Sequence, residues 1–256
     1  MTTDPGLYAR SFADVYDDWY ANLDDPALLV SAFQQRLPST ATVVEFGSGT
    51  GRLAMPLRHT GFEVFAIDVS ESMLRAAWTD VPSVAADIAH VALKENCADA
   101  VLIAYNTLFN LEHRTLQERC FAEAARILRP GGLLVVEAFV LPPGDGAVTD
   151  PSNHDRGIGY GISVREHPTE GDAMLVIMTG PPGFPTASPD LIVGSHIELL
   201  ANATICRPWQ LAYQNPQALD AAALRVRLRL TERCADWSGS AFDDNSGRHV
   251  SWYQHF

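Results

Sequence analysis

VVEFGSGTG, Val43 to Gly51, is an apolar run that passes through a single acid, Glu45, into a G-x-G-x-G turn. A strand ending in such a turn brings backbone N–H groups close to a ligand, because glycine lacks the Cβ that would block the approach. About twenty residues further on, a second apolar run, VFAID, ends at Asp68. A glycine turn followed at that distance by an acidic strand end can hold a nucleoside, the acid taking the ribose hydroxyls. A dinucleotide turn prefers G-x-G-x-x-G, whose third glycine lets helix and strand pack closely. Here that third position is Arg52. Glu45 would repel a pyrophosphate and suits the cationic amino group of an amino-acid-like ligand.

Outward from this turn, strands and helices alternate. Strands are expected at Thr42–Phe46, Glu63–Asp68, Ser83–Ala86, Ala100–Tyr105 and, after the turn signal RPGG at 129–132, Leu133–Phe139. Helices are expected at 52–59, over DVSESML with Ser70 as N-cap, and at 115–128. Pro56, just past the first turn of 52–59, should cost that helix a backbone bond or kink it. This βαβ repetition calls for a parallel sheet with right-handed crossovers. Two helices, 7–20 and 26–37, come first, the second capped by Asp24 or Asp25.

After Leu141 the texture changes. The proline–glycine loops LPPGDG and TGPPGFP alternate with strand-like runs at 161–167, 173–178, 192–200 and 204–211, with TEGD (169–172) as a hairpin turn. An antiparallel insert lying over the sheet is expected. A helix at 218–225 and strands at 228–234 and 249–254 complete the chain. No glycine separates that helix from the strand after it, so the helix must end without the usual C-cap. The fold class is α/β, a mostly parallel sheet with an antiparallel insert. It is divided as a single domain with a helical cover (1–40), a cofactor-binding core (41–140), an insert or lid (141–212) and a C-terminal helix with the last two strands (213–256).

The 256 residues are 47% hydrophobic and carry a formal net charge of −13. A field of that sign repels phosphate backbones and ranks nucleic acid low as a partner. Four cysteines, Cys97, Cys120, Cys206 and Cys234, show no C-x-x-C spacing, which argues against a zinc site and for a reducing compartment. The acidic, aromatic N-terminus is unlike a signal peptide, and no apolar run is long enough to span a membrane. A cytoplasmic protein, metal-free and without a membrane partner, is expected, with a homodimer as one candidate state.

Four motifs in order, E45-F-G-S-G-T-G51, A66-I-D-V-S-E-S-M-L74, A86-D-I88 and L128-R-P-G-G132, resemble the class I S-adenosylmethionine-dependent methyltransferases over residues 40–140. N106-T-L-F-N-L111 and the C-terminal strands are similar to small-molecule methyltransferases of bacterial secondary metabolism. The resemblance implies a Rossmann-like fold, a seven-stranded, mostly parallel sheet with an antiparallel last strand, with S-adenosylmethionine as cofactor and methyl transfer to nitrogen or oxygen of a small-molecule or short peptide-derived acceptor. It implies that Gly47 and its neighbours Glu45, Phe46, Ser48 and Gly49 approach the methionine part. Asp68 would bind the ribose, with Val69 and Met73 beside the adenosine. Asp87 and the Ile88 N–H would read adenine, and Ala104 and Tyr105 would flank the sulfonium. Tyr16 and Tyr20, one helical turn apart, match a helix that closes over the cofactor.

In-line transfer from a sulfonium needs positioning more than proton chemistry. The candidates for a catalytic role are Glu137, near the end of the fifth strand, and Asn106, after the fourth; Asn110 is a second candidate for the pocket wall. His113 reads as a solvated loop residue, and His154, His167 and His196 belong to the insert. His196 and Glu198 share a strand face, as expected of a polar cross-strand patch. Arg207, Trp209 and Tyr213 either line a substrate mouth or pack on the sheet. Two other readings stay open: a nicotinamide-dependent oxidoreductase, and a cofactor-binding protein of the same fold with a cyclase or regulatory role.

Overall fold

The computed structural model describes residues 6–20, 26–76, 80–141, 161–180 and 190–256. The expected cap at Asp24 or Asp25, most of the two proline–glycine loops, and His154 lie outside the described residues.

A seven-stranded sheet is built from β1 (Thr42–Phe46), β2 (Glu63–Asp68), β3 (Ser83–Ala85), β4 (Ala98–Ile103), β5 (Leu128–Phe139), β10 (Leu228–Cys234) and β11 (Arg248–His255), in the order β10-β11-β5-β4-β1-β2-β3. The first five strands pair in parallel, and β11 runs antiparallel to both neighbours. Successive side chains of a strand face opposite ways. Val44, Phe46, Val101 and Ile103 accordingly enter the core beneath α6 (Arg114–Ile127) and α7 (Pro216–Arg225). Val43, Ala100 and Leu102 enter a second core with α3 (Pro26–Gln34) and α4 (Ala54–His59). Burial on both faces is why these strands read as continuous apolar runs.

Four expectations need adjustment. Helix 52–59 starts at Ala54, so Pro56 falls in its first turn, where a missing N–H costs nothing. The fourth strand ends at Ile103, because Tyr105 and Asn106 turn out of the sheet with φ of 49° and 64°. RPGG does not precede β5 but is looped into it: Leu128 pairs with Ala98 and Leu133 with Ala100, the surplus residues forming a bulge with Gly131 at φ 82°. The single helix at 7–20 is two, α1 (Leu7–Phe12) and α2 (Tyr16–Tyr20). The glycine-free end of α7 is solved by Arg227 itself, which takes φ 64°.

The break between α1 and α2 has a distant cause. The insert is a second sheet of β6 (Gly161–Glu166), β7 (Met174–Thr179), β8 (Leu191–Leu199) and β9 (Thr204–Ala212), antiparallel throughout, with β9 packed on α1. TEGD joins β6 to β7 as expected. Arg207 of β9 donates to the buried Glu198 carboxylate, to the Ser11 carbonyl at 2.6 Å, and to the Asp14 carboxylate at 2.6 and 2.9 Å. A continuous helix would offer the Ser11 carbonyl to the Val15 N–H; instead Val15 donates to Phe12. His167 Nε2 donates to the other Glu198 oxygen at 2.8 Å, while its Nδ1 accepts the Thr169 and Glu170 N–H groups. The polar patch expected from His196 and Glu198 is therefore a buried network that docks the N-terminal helices on the insert. Trp209 packs within it, its indole N–H donating to His196.

Candidate active site

The glycine turn is fixed from behind. The Gly47 and Ser48 N–H groups both donate to the Ile67 carbonyl, at 2.7 and 3.0 Å. Gly47 has φ 70°, and a Cβ there would sit 2.2 Å from Thr107 Cγ2. Both the backbone and the space require glycine. Gly47→Ala is expected to cost about 2–3 kcal/mol of stability. Trimming Thr107 to alanine in the same chain should restore only the steric part, as read by chemical denaturation.

At Gly49 a Cβ would meet nothing within 4 Å, and the N–H donates to Asp68 Oδ2 at 2.8 Å. Asp68 Oδ1 accepts the Ser70 N–H at 2.8 Å, and Ser70 in turn caps α5 (Glu71–Ala76) through the Met73 N–H. Capping and ligand binding are compatible here. A carboxylate offers roughly four lone-pair positions, so capacity remains for a hydroxyl donor. Burial pushes the Asp68 carboxyl up from its ordinary range, against the pull of these N–H groups.

This turn opens on a cleft of about 750 Å³, counted out to its open mouth, within the usual size for small-ligand sites. Of the expected cofactor residues, Tyr16, Gly47, Gly49, Asp68, Val69, Met73, Asp87, Ile88 and Tyr105 line it. Tyr20, Glu45, Phe46, Ser48 and Ala104 are not among the lining residues. Phe46 is fully buried in the core, and Tyr20 stands behind Tyr16, ring centroids 4.9 Å apart. The lining also includes Tyr8, Ala9, Thr107 and Leu111, which sequence reasoning missed, together with Asn110. Tyr8 had a signal: with Phe12, Tyr16 and Tyr20 it completes an aromatic series at four-residue intervals. Thr50 donates to Asp17 at 2.5 Å, tying α2 to the glycine turn.

Glu137 and Asn106 are not among the lining residues. Glu137 Oε2 accepts the Tyr105 N–H at 3.1 Å, its carbonyl accepts the Asn106 N–H at 3.3 Å, and Arg248 lies 3.5 Å from Oε1. Asn106 Oδ1 accepts the Phe139 N–H at 2.7 Å. Together they clamp the left-handed Tyr105–Asn106 turn to β5, and the Arg52 guanidinium lies 3.9 Å over the Tyr105 ring. Asp87 accepts the Ala89 N–H and lies 3.2 Å from His90 Nδ1. His113 is exposed at the N-cap of α6. Tyr213 stacks on Phe139 and donates no wall to the cleft. Among the described residues no group of three or more His, Cys, Asp or Glu could hold a metal ion, and no helix is long and apolar enough to cross a membrane.

The family described as a methyltransferase domain matches residues 44–136. An uncharacterized methyltransferase of Mycobacterium tuberculosis, Rv3342, is 34% identical over 113 residues, 43% of this chain and 44% of that protein. The chain thus matches under half the length of this curated relative. A cypemycin N-terminal methyltransferase from Streptomyces is 26% identical over 68% of this chain and 69% of its own. The CcbJ methyltransferase structure from Streptomyces caelestis superposes with a TM-score of 0.80 at 29% identity, covering 98% of this chain and 99% of that one. Residues 44–136 thus carry a methyltransferase domain, on the fold of S-adenosylmethionine-dependent methyltransferases.

The residues of this domain fit S-adenosylmethionine. Glu45, buried at the end of β1, has an Oε2 with no hydrogen-bond partner among the described residues. Burial, reinforced by the nearby Asp68 charge and opposed by Arg52, pushes its carboxyl up to about 8. An unpartnered buried carboxyl beside the glycine turn suits a cationic amino group, which would hold it ionised. The sign follows from linkage. A carboxyl raised on folding contributes stability that is fully present below its unfolded value, 4.5, and lost as pH rises through about 8. Ligand-free stability should therefore fall across that window, and Glu45→Gln should flatten the fall. Binding of S-adenosylhomocysteine near pH 7 should release about one proton. Calorimetry in buffers of differing ionisation enthalpy checks this, and Glu45→Gln should abolish the release.

Proposed function

We propose that this chain transfers a methyl group from S-adenosylmethionine to nitrogen or oxygen of a small-molecule or short peptide-derived acceptor by in-line displacement. The observation that carries the reading is the convergence on one turn of the Gly49 N–H, the half-used Asp68 carboxylate and the unpartnered Glu45 oxygen. When bound, the cofactor supplies an already activated methyl group, so the protein's part is binding, orientation and exclusion of water.

In this reading Asp68 holds the ribose, and Val69 and Met73 pack on the adenosine. Asp87 and the Ile88 N–H read adenine, and Glu45 with Gly47, Ser48 and Gly49 holds the methionine part. Ala104 and Tyr105 flank the sulfonium, and Tyr16, backed by Tyr20, covers it. Glu137 and Asn106 act through the Tyr105 turn as positioning residues and move no proton. Residues 1–40 and 141–212 cover the core of residues 41–140, and residues 213–256 complete the sheet. A cytoplasmic role in secondary metabolism, as a monomer or homodimer, fits the −13 charge and the cypemycin enzyme among the relatives. Calorimetry with S-adenosylhomocysteine and NADH, followed by incubation with methyl-labelled cofactor and candidate amines and phenols, tests it. Tight binding of NADH, or label that reaches no acceptor, would refute it.

A further inference from the structure

Asn110 closes the short 3-10 turn Thr107–Asn110 that follows β4. It lines the cleft, yet its Oδ1 is buried and meets no donor among the described residues. A buried acceptor left this way costs about 1–3 kcal/mol. Such a cost persists at a binding site when a ligand supplies the missing donor.

The rest of this wall narrows the ligand. Tyr105, Thr107 and Asn110 come from the segment that follows β4, and Tyr8, Ala9 and Tyr16 from α1 and α2. The Tyr8 hydroxyl hydrogen goes to Tyr20 at 3.4 Å, which leaves its oxygen as an acceptor. No Lys, Arg or His is among the described lining residues. The wall formed by Tyr8, Tyr16, Tyr105, Thr107 and Asn110 contributes no cationic side chain for a carboxylate acceptor and no carboxylate or imidazole base for a phenol.

We propose that the Asn110 side-chain carbonyl accepts an N–H of the methyl acceptor, and that this acceptor is a primary or secondary amine. This rests on the methyltransferase reading above. The amine nitrogen uses its lone pair to bond the methyl carbon as the carbon–sulfur bond breaks, sulfur keeping that pair. Positive charge passes from sulfonium to ammonium. The N–H proton stays on nitrogen, held by Oδ1 beside the tyrosine rings, until the product reaches water. A neutral amide suffices for this, because no proton is transferred in the step.

Two analogues of S-adenosylhomocysteine with nitrogen in place of sulfur test the assignment, one carrying a 2-aminoethyl arm and the other a propyl arm of equal length. By calorimetry the wild-type protein should prefer the aminoethyl analogue by about tenfold. Asn110→Leu should erase the preference while leaving S-adenosylhomocysteine affinity within about twofold. Asn110→Asp should keep or enlarge the preference. No preference in the wild type, or a preference that survives Asn110→Leu, would overturn the proposal. So would an Asp variant that loses as much as Leu, since Asn110 would then be offering its N–H. A matching loss of S-adenosylhomocysteine affinity in Asn110→Leu would assign the residue to the cofactor instead. If no ligand of the three binds the wild type, the methyltransferase reading itself fails and this one with it.

Discussion

Asp68→Ala is expected to weaken S-adenosylhomocysteine binding by at least about 100-fold, the sum of two hydrogen bonds to a charged acceptor. The loss has two parts. The ribose hydroxyls lose their acceptor, and the Gly49 and Ser70 N–H groups lose theirs, so the turn and the start of α5 loosen together. Asp68→Asn keeps one carbonyl oxygen in the same place and should lose about tenfold. Calorimetry on both variants, with thermal denaturation to separate binding from folding, checks the order. Wild-type affinity in Asp68→Ala would remove the nucleoside from this turn.

Arg207→Met is expected to destabilise the protein by about 3–5 kcal/mol, because it leaves Glu198 charged and enclosed beside His167. For a chain of this size that is roughly 10 °C in the melting temperature. The partners of Arg207 predict unequal effects. Glu198 is 3% exposed, whereas the Asp14 side chain is 64% exposed, so Asp14→Ala should cost under about 1 kcal/mol. Combining Arg207→Met with Glu198→Gln should recover at least about half of the loss, since no buried charge is then stranded. A double variant as unstable as the sum of the singles would mean that packing against Trp19, not charge, is what Arg207 supplies.

The parallel half of the fold was legible because its signals are local. Apolar runs end in acids at Asp68 and Asp87, Ser70 caps the helix after it, and strand residues alternate between two cores. What escaped the sequence depends on partners far along the chain. The break at residues 13–15 lies within a run of good helical pattern, and it exists because an arginine on β9 takes the Ser11 carbonyl. Tertiary contact there overrides propensity. Glu137 stands at a strand end, where α/β sheets bind ligands. Its carboxylate instead answers the N–H of Tyr105, a neighbour that only the β4–β5 register brings near. The strand-end side of the cleft, with Gly47, Gly49, Asp68 and Asp87, was readable for the same reason. Its other wall, Tyr8, Ala9, Thr107 and Leu111, is assembled from segments about a hundred residues apart.

The Arg207–Asp14 pair also orders events during synthesis. Its members are 193 residues apart, and ribosomes add roughly 5–20 residues per second. Residues 7–20 therefore wait roughly 10–40 s after leaving the ribosome before the strand that holds them exists. The sheet strands from β1 to β5 can pair in that interval, while Phe12 and Trp19 have no insert to pack on. The half of the cleft built from the ends of β1 and β2 can thus form in the nascent chain well before α1 and α2 dock on the insert.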